Sequence, residues 1–282
     1  LILDGKKIAE KKKHQIIGIL ADKNLTPGLA TVLVGSDRAS YSYVAAKIKA
    51  CSEVGFYSHP VFLSEKISEV ELLHCIEQLN INPKIHGILV QLPLPGHISE
   101  KNILSAILPE KDVDCFHPLN LGRLFAGVSE FSPCTPKGIL TLLKSMDISL
   151  ESQNALVIGK SNIVGKPAAF LLLQHDMTVS IAHKKTKNLK QLCREADIIV
   201  SAAGCPNLIT ADMIRDGVII IDVGINRVPD SHNPKKYRIQ GDADFAGIAS
   251  KCKAITPVPG GIGPMTIVSL LENTLYLAER AL

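Results

Sequence analysis

The chain has no tryptophan, and only 4% of its residues are aromatic. A platform that stacks bases on rings between cations has little to be built from. Charge of one sign is also scarce, with a formal net charge of +4. The densest basic cluster, Lys6, Lys7, Lys11, Lys12 and Lys13, has no ring interleaved with it and reads as a solvated helix face. No nucleic-acid partner is expected. No apolar run approaches the roughly 20 residues that span a bilayer, so no membrane partner is expected either. The seven cysteines, at 51, 75, 115, 134, 193, 205 and 252, are odd in number and never spaced C-x-x-C. That argues against a disulfide framework and a zinc site, and it suits a reducing, cytoplasmic setting. The opening LILDGKKIAEKKK places a few apolar residues before charge, the reverse of a secretory signal. There is no internal repeat and no low-complexity segment.

What is present is a core. Apolar residues make up 46% of 282 residues, enough for two domains of ordinary size. Short apolar runs alternate with helical patterns, which predicts an α/β chain. LATVLVG (29 to 35) reads as a strand, followed by a helix that Gly55 closes. GILVQLPLP (87 to 95) reads as a strand running into a rigid loop. NALVIG (154 to 159), TVSIAH (178 to 183), ADIIVSAAG (196 to 204) and GVIIIDVG (217 to 224) form a second series. These runs are continuous rather than alternating, as parallel strands covered on both faces require. FSPCTPKGILTLLKS (131 to 145) is a plausible junction. The expected domains are residues 1–137 and 138–263, with a terminal helix over 264–282.

Several places carry candidate chemistry. In ITPVPGGIGPMTIVSLLENT (255 to 274), Pro257, Pro259 and Pro264 stiffen the backbone while Gly260, Gly261 and Gly263 free it. This reads as backbone brought close to a ligand, though a sharp loop before a helix is the plainer alternative. Gly159 follows a strand and precedes a helix, an arrangement that turns backbone N–H groups toward a phosphate. The pattern G-K-S-N-I-V-G has only Gly159 and Gly165, so an ordinary strand-to-helix loop remains open. At the end of the next strand stand His183, Lys184 and Lys185, where a cofactor with a free ribose 2′-hydroxyl would usually meet a carboxylate. Cations there, with Lys160, favour a 2′-phosphate and hence NADP; a lysine-rich surface loop is the alternative. In DVGIN, Gly224 can admit a cofactor near its backbone and Ile225 can cover it.

Tyr43 and Lys47 lie four apart in a predicted helix and share one face. A desolvated lysine can exchange protons near neutral pH. Gln91 leaves a strand just before two prolines that can hold its amide in one orientation. At least one cis proline is expected in QLPLP or TPVPGG.

YVAAK, QLPLP, PEKDVD, GKSNIVGKP, DVGIN and PGGIGPMT occur in that order along nearly the whole chain. In this the sequence resembles the methylenetetrahydrofolate dehydrogenase/cyclohydrolase family. The resemblance implies a substrate domain at the N-terminus, a Rossmann-like parallel-sheet NADP domain, a C-terminal helix that returns to the first domain, and a homodimer. It implies oxidation of 5,10-methylenetetrahydrofolate with NADP and hydrolysis of the methenyl product to 10-formyltetrahydrofolate, with no metal. By the same resemblance Tyr43 stacks on the substrate, Lys47 is the essential lysine, Gln91 is bonded to it, and Asp114 binds the folate. Pro259, Gly260 and Gly261 complete the substrate set, and Gly159, Lys160, Ser161, Lys184 and Ile225 the cofactor set. Asp112 should face the other way from Asp114 and serve the structure. Cys115 stands where the family has glycine. Two other readings are a dehydrogenase of this fold without the hydrolytic step and a catalytically silent nucleotide-binding protein. The presence of Tyr43, Lys47, Gln91 and Asp114 together argues against both.

Overall fold

A computed structural model of the chain describes residues 1–229 and 237–281. The elements run α1 (Gly5–Lys23), β1 (Gly28–Val34), α2 (Arg38–Val54), β2 (Tyr57–Leu63), α3 (Glu69–Ile81), β3 (Gly87–Val90), α4 (Glu100–Ala106), α5 (Pro118–Phe125) and α6 (Cys134–Lys144). They continue with β4 (Asn154–Ile158), α7 (Gly165–Leu173), β5 (Thr178–Ala182), α8 (Leu189–Glu195), β6 (Ile198–Ser201) and β7 (Ile219–Asp222). Last come β8 (Asn226–Pro229), β9 (Tyr237–Gln240), α9 (Phe245–Ile248), β10 (Ala254–Ile255) and α10 (Ile262–Arg280). Among the described residues no helix is long and apolar enough to cross a membrane. The chain forms two compact units. Unit A is Glu10–Cys134 with Ile267–Leu282, and unit B is Leu1–Ala9 with Thr135–Thr266.

Unit A holds a parallel sheet in the order β2-β1-β3. β1 is buried along its whole length, which suits its unbroken apolar run. Leu72 and Ile76 of α3 pack with Ala30, Val32 and Ile88 of the strands. Local chemistry fixes the helix ends. Asp37 accepts the N–H of Ser40 to open α2, and Gly55 closes it at φ 88°. Ser68 and Glu71 form a reciprocal capping box on α3. β3 is the strand part of the run from 87 to 95, and the loop follows it as expected. After Val90 the Gln91 N–H still donates to Val32 O (2.8 Å), and then the chain departs through a cis Leu92–Pro93 bond. The later part of α10 belongs to this unit, tied by Lys12–Glu272 (2.9 Å) and Lys23–Glu279 (2.8 Å) ion pairs. The terminal helix thus returns to the N-terminal unit, as expected.

Unit B holds a five-stranded parallel sheet in the order β10-β7-β6-β4-β5. β6 and β7 are buried throughout, and β4 after its first residue. β5 departs from the expectation of strands covered on both faces: it is the sheet's edge, and Ile181 is 42% exposed. Its run TVSIA is also interrupted by Thr178 and Ser180, unlike IIVS of β6 and IIID of β7. β8 and β9 pair antiparallel. The first residues join the other edge, where Leu3 N–H donates to Ile255 O over 2.9 Å. Val258–Pro259 is also cis, so both proline-rich loops contain the isomer expected of at least one.

Candidate active site

In unit A, α2 carries Tyr43 and Lys47 on one face. Lys47 donates from Nζ to Gln91 Oε1 over 2.9 Å. The orientation of the Gln91 amide is set from its other end, because Nε2 donates to Leu92 O at 2.7 Å. The carbonyl therefore faces the amine. Desolvation pushes the Lys47 ammonium below the usual lysine range, while the charges of Asp114 and Cys134 pull the other way. Asp114 is displaced upward by desolvation, and Lys47 opposes that shift. Each partner is thereby moved toward its neutral form. Tyr43, one helical turn before Lys47, is 37% exposed.

Asp112 is the structural acid that its spacing implied. It is 1% exposed and accepts the N–H groups of Phe116 (3.1 Å) and His117 (2.8 Å) and the Asn120 amide (2.9 Å). This anchors the loop that carries Asp114. Cys115 has φ 58°, the left-handed conformation that glycine adopts without cost. The chain keeps the turn and buries a thiol within it.

Two contributors were missed in the sequence. Cys134 hydrogen-bonds the Asp114 carboxylate and lies 3.5 Å from Val113 O. Asn273 donates to Val113 O (2.8 Å) and Ser132 O (2.9 Å), tying α10 to the Asp114 loop. FSPCTP reads only as a junction in one dimension. Asn273 did leave a signal, as an amide among the apolar positions of a helix.

In unit B the cofactor candidates stand beyond the carboxyl ends of parallel strands. Gly159 follows β4, Lys184 follows β5 and Ile225 follows β7. β4 lies between β5 and β6, so the chain leaves it toward one side and later returns on the other. That reversal is where open α/β sheets bind ligands. Gly159 has φ 136°, and a Cβ there would sit 2.4 Å from Ala202 O. A Cβ on Gly165 would sit 2.1 Å from Gly159 O. Only glycine allows this close turn. Ser161 Oγ accepts the N–H groups of Val164 (3.1 Å) and Gly165 (3.2 Å) at the start of α7. Lys160, Lys184 and Lys185 are exposed, and Ile225 is 50% exposed. A bare glycine turn, a helix start and exposed cations fit a phosphorylated dinucleotide. Pro259, Gly260 and Gly261 also fall in unit B; a Cβ on Gly5 would lie 1.8 Å from Gly261 O, so the N-terminal segment packs closely on that loop. Among the described residues no group of three or more His, Cys, Asp or Glu side chains is placed to hold a metal ion.

The models of the tetrahydrofolate dehydrogenase/cyclohydrolase catalytic domain and NAD(P)-binding domain match residues 3–114 and 133–282. The chain belongs to this family. It is 51% identical to the bifunctional protein FolD of Campylobacter concisus, over 99% of this chain and 97% of that protein. The FolD of Protochlamydia amoebophila is 52% identical, over 100% and 98%. The crystal structure of the bifunctional FolD enzyme from Campylobacter jejuni superposes with a TM-score of 0.95 at 48% identity, covering 100% of this chain and 99% of that one. The Trypanosoma brucei enzyme, solved with NADP cofactor and an inhibitor, gives a TM-score of 0.95 at 36% identity, covering 99% and 97%.

Proposed function

We propose that this chain oxidises 5,10-methylenetetrahydrofolate with NADP and then hydrolyses the methenyl product to 10-formyltetrahydrofolate. The observation that carries this reading is the Lys47–Gln91 hydrogen bond, formed beside Asp114. NADP, when bound, accepts the hydride that leaves the bridging carbon. The chain's own task in that step is to orient, because the nitrogens flanking the carbon already stabilise the cation. Gly159, Ser161 and the start of α7 would receive the phosphates, with Lys160 beside them. Lys184 and Lys185 would meet the 2′-phosphate, and Ile225 would cover the nicotinamide or its ribose.

The folate set supplies recognition and proton handling. Asp114 can accept the ring N3–H and 2-amino group of the pterin side by side, and Tyr43 offers a ring to stack on it. Pro259, Gly260 and Gly261 present backbone to the substrate. In hydrolysis a water oxygen bonds to the methenyl carbon, the bond from that carbon to N5 breaks, and one proton is released overall. Lys47 in its neutral form can take a proton from the water, and the Gln91 carbonyl holds the amine in place.

The same reading makes the protein a cytoplasmic homodimer without a nucleic-acid partner. Unit B would supply most of the dimer contact, where the β5 edge exposes Ile181 (42%) and α7 exposes Leu173 (56%). Light scattering should then give twice the chain mass at micromolar concentration, and a monomer would contradict it. The activity is tested by supplying methylenetetrahydrofolate with NADP or NAD. NADPH followed by 10-formyltetrahydrofolate is expected, and no NADP-dependent oxidation would refute the reading.

A further inference from the structure

Unit B buries two carboxylates whose function is not covered by the cofactor residues named above. Asp222, at the end of β7, is 3% exposed and Asp242 is 0% exposed. Asp242 Oδ2 accepts from Ser201 Oγ (3.0 Å), Ala203 N (2.7 Å) and Gly204 N (3.2 Å). Its Oδ1 accepts from Cys205 N (2.9 Å) and Asn226 Nδ2 (2.9 Å). Asp222 Oδ1 accepts from Gly224 N (2.9 Å) and from the N–H of Asp242 itself (2.9 Å), and Oδ2 from Ala243 N (2.8 Å).

The fit around the pair is close. A Cβ on Gly224 would sit 2.2 Å from Asp242 Oδ1, and one on Gly241 would sit 2.0 Å from Asp222 Oδ2. Burying two acids is costly, and apolar side chains of similar volume would usually serve stability as well or better. What the acids provide is shape. Apart from Asp242 and Ala243 of the acids' own loop, the donors come from the end of β6 and the segments after β6 and β7. Gly224 and Asn226, each held by one of the two acids, flank Ile225, which stays half exposed.

We infer that Asp242, held in place by Asp222, is a positioning residue for hydride transfer: it fixes the segments 203–205 and 224–226, and through them the surface that Ile225 offers to the nicotinamide end of the cofactor. This rests on the assignment of Ile225 to the cofactor site. Asp242 touches neither cofactor nor substrate and acts through the backbone it gathers.

Asp242→Asn tests it. The size is unchanged, but one acceptor oxygen becomes an NH2 group, and both positions face N–H or O–H donors. Displacing a reacting group by about 1 Å can cost about 10²-fold in rate. The dehydrogenase kcat should therefore fall by about that factor, while the KM for NADP changes by less than about threefold. Hydrolysis of added methenyltetrahydrofolate without cofactor should remain within about twofold, because Lys47 and Gln91 lie in unit A. Asn226→Ala removes one donor and leaves the other four on Asp242. It should show a smaller loss of the same kind, and it decides the matter if Asp242→Asn does not fold. A normal dehydrogenase kcat in Asn226→Ala would overturn the inference. So would equal losses of both activities in step with a lowered Tm. Failure of the underlying function would be seen separately, as no NADP-dependent oxidation by the unaltered protein.

Discussion

Lys47 and Gln91 lie 44 positions apart and meet through one hydrogen bond, from Nζ to Oε1, of 2.9 Å. Burial desolvates the amine and shifts it toward its neutral form. Gln91 holds the amine without adding a charge that would keep it protonated. A carboxylate in its place would favour the ammonium. Gln91→Glu should therefore lower hydrolysis of methenyltetrahydrofolate at neutral pH and move the rising limb of its pH–rate profile to higher pH. The profile of the variant against the parent is the check. An unchanged limb would mean that the titrating group is not Lys47.

Asp114 should behave differently. Folate binding precedes both reactions, so Asp114→Ala should reduce both. A bidentate hydrogen bond to a charged acceptor contributes about 1.5–3 kcal/mol per bond, so KM for folate should rise by at least about tenfold. Steady-state kinetics of both steps provide the test. Loss of one activity alone would remove Asp114 from substrate recognition.

Cofactor choice rests on charge after β5. Lys184 and Lys185 are exposed, and no acid stands between Ala182 and Thr186 to receive a ribose hydroxyl. Replacing both lysines by alanine should raise KM for NADP by about tenfold, the scale of a lost charged hydrogen bond, and leave KM for NAD nearly unchanged. Equal effects on the two cofactors would point to a general electrostatic role instead.

How much of this was legible in one dimension depends on range. Continuous apolar runs gave β1, β4, β6 and β7, because a parallel strand buried on both faces needs such a run. In TVSIA, by contrast, Thr178 and Ser180 alternate with Val179 and Ile181, a signal of the exposed edge strand that β5 proves to be. Gly55 marked the end of α2 through its own backbone freedom. Lys47, Gln91 and Asp114 were nameable from motifs, but the 2.9 Å contact that gives Lys47 its environment joins distant segments. Cys134 and the Asp222–Asp242 pair lay beyond reach for the same reason, and Asn273 showed only as an amide among apolar helix positions. Their partners are mostly backbone groups brought close only by folding, and a buried acid looks like any other acid in a sequence.

Asp222 gives a pH prediction. Burial pushes its carboxyl up from the ordinary 3.8 to about 6, against three N–H bonds that favour the ionised form, and the charge of Asp242 adds to the rise. Between those values the folded chain holds a proton that the unfolded chain has released. The contribution of this group to stability is therefore present at low pH and falls as pH rises from 3.8 to about 6. Carboxyl carbon NMR should place its midpoint near 6. A midpoint at or below the ordinary value would show that the N–H bonds outweigh burial.

Lys47→Met is the most direct test of the central claim. Methionine keeps much of the apolar stem and removes the amine. General acid–base help is typically worth about 10²–10⁴-fold, so hydrolysis of added methenyltetrahydrofolate should fall by at least about 10²-fold. Hydride transfer needs orientation more than proton movement, so NADPH formation from methylenetetrahydrofolate should fall much less. Both reactions would be followed in the same preparation. Hydrolysis at the parent rate in Lys47→Met would contradict the account and remove Lys47 from the chemistry.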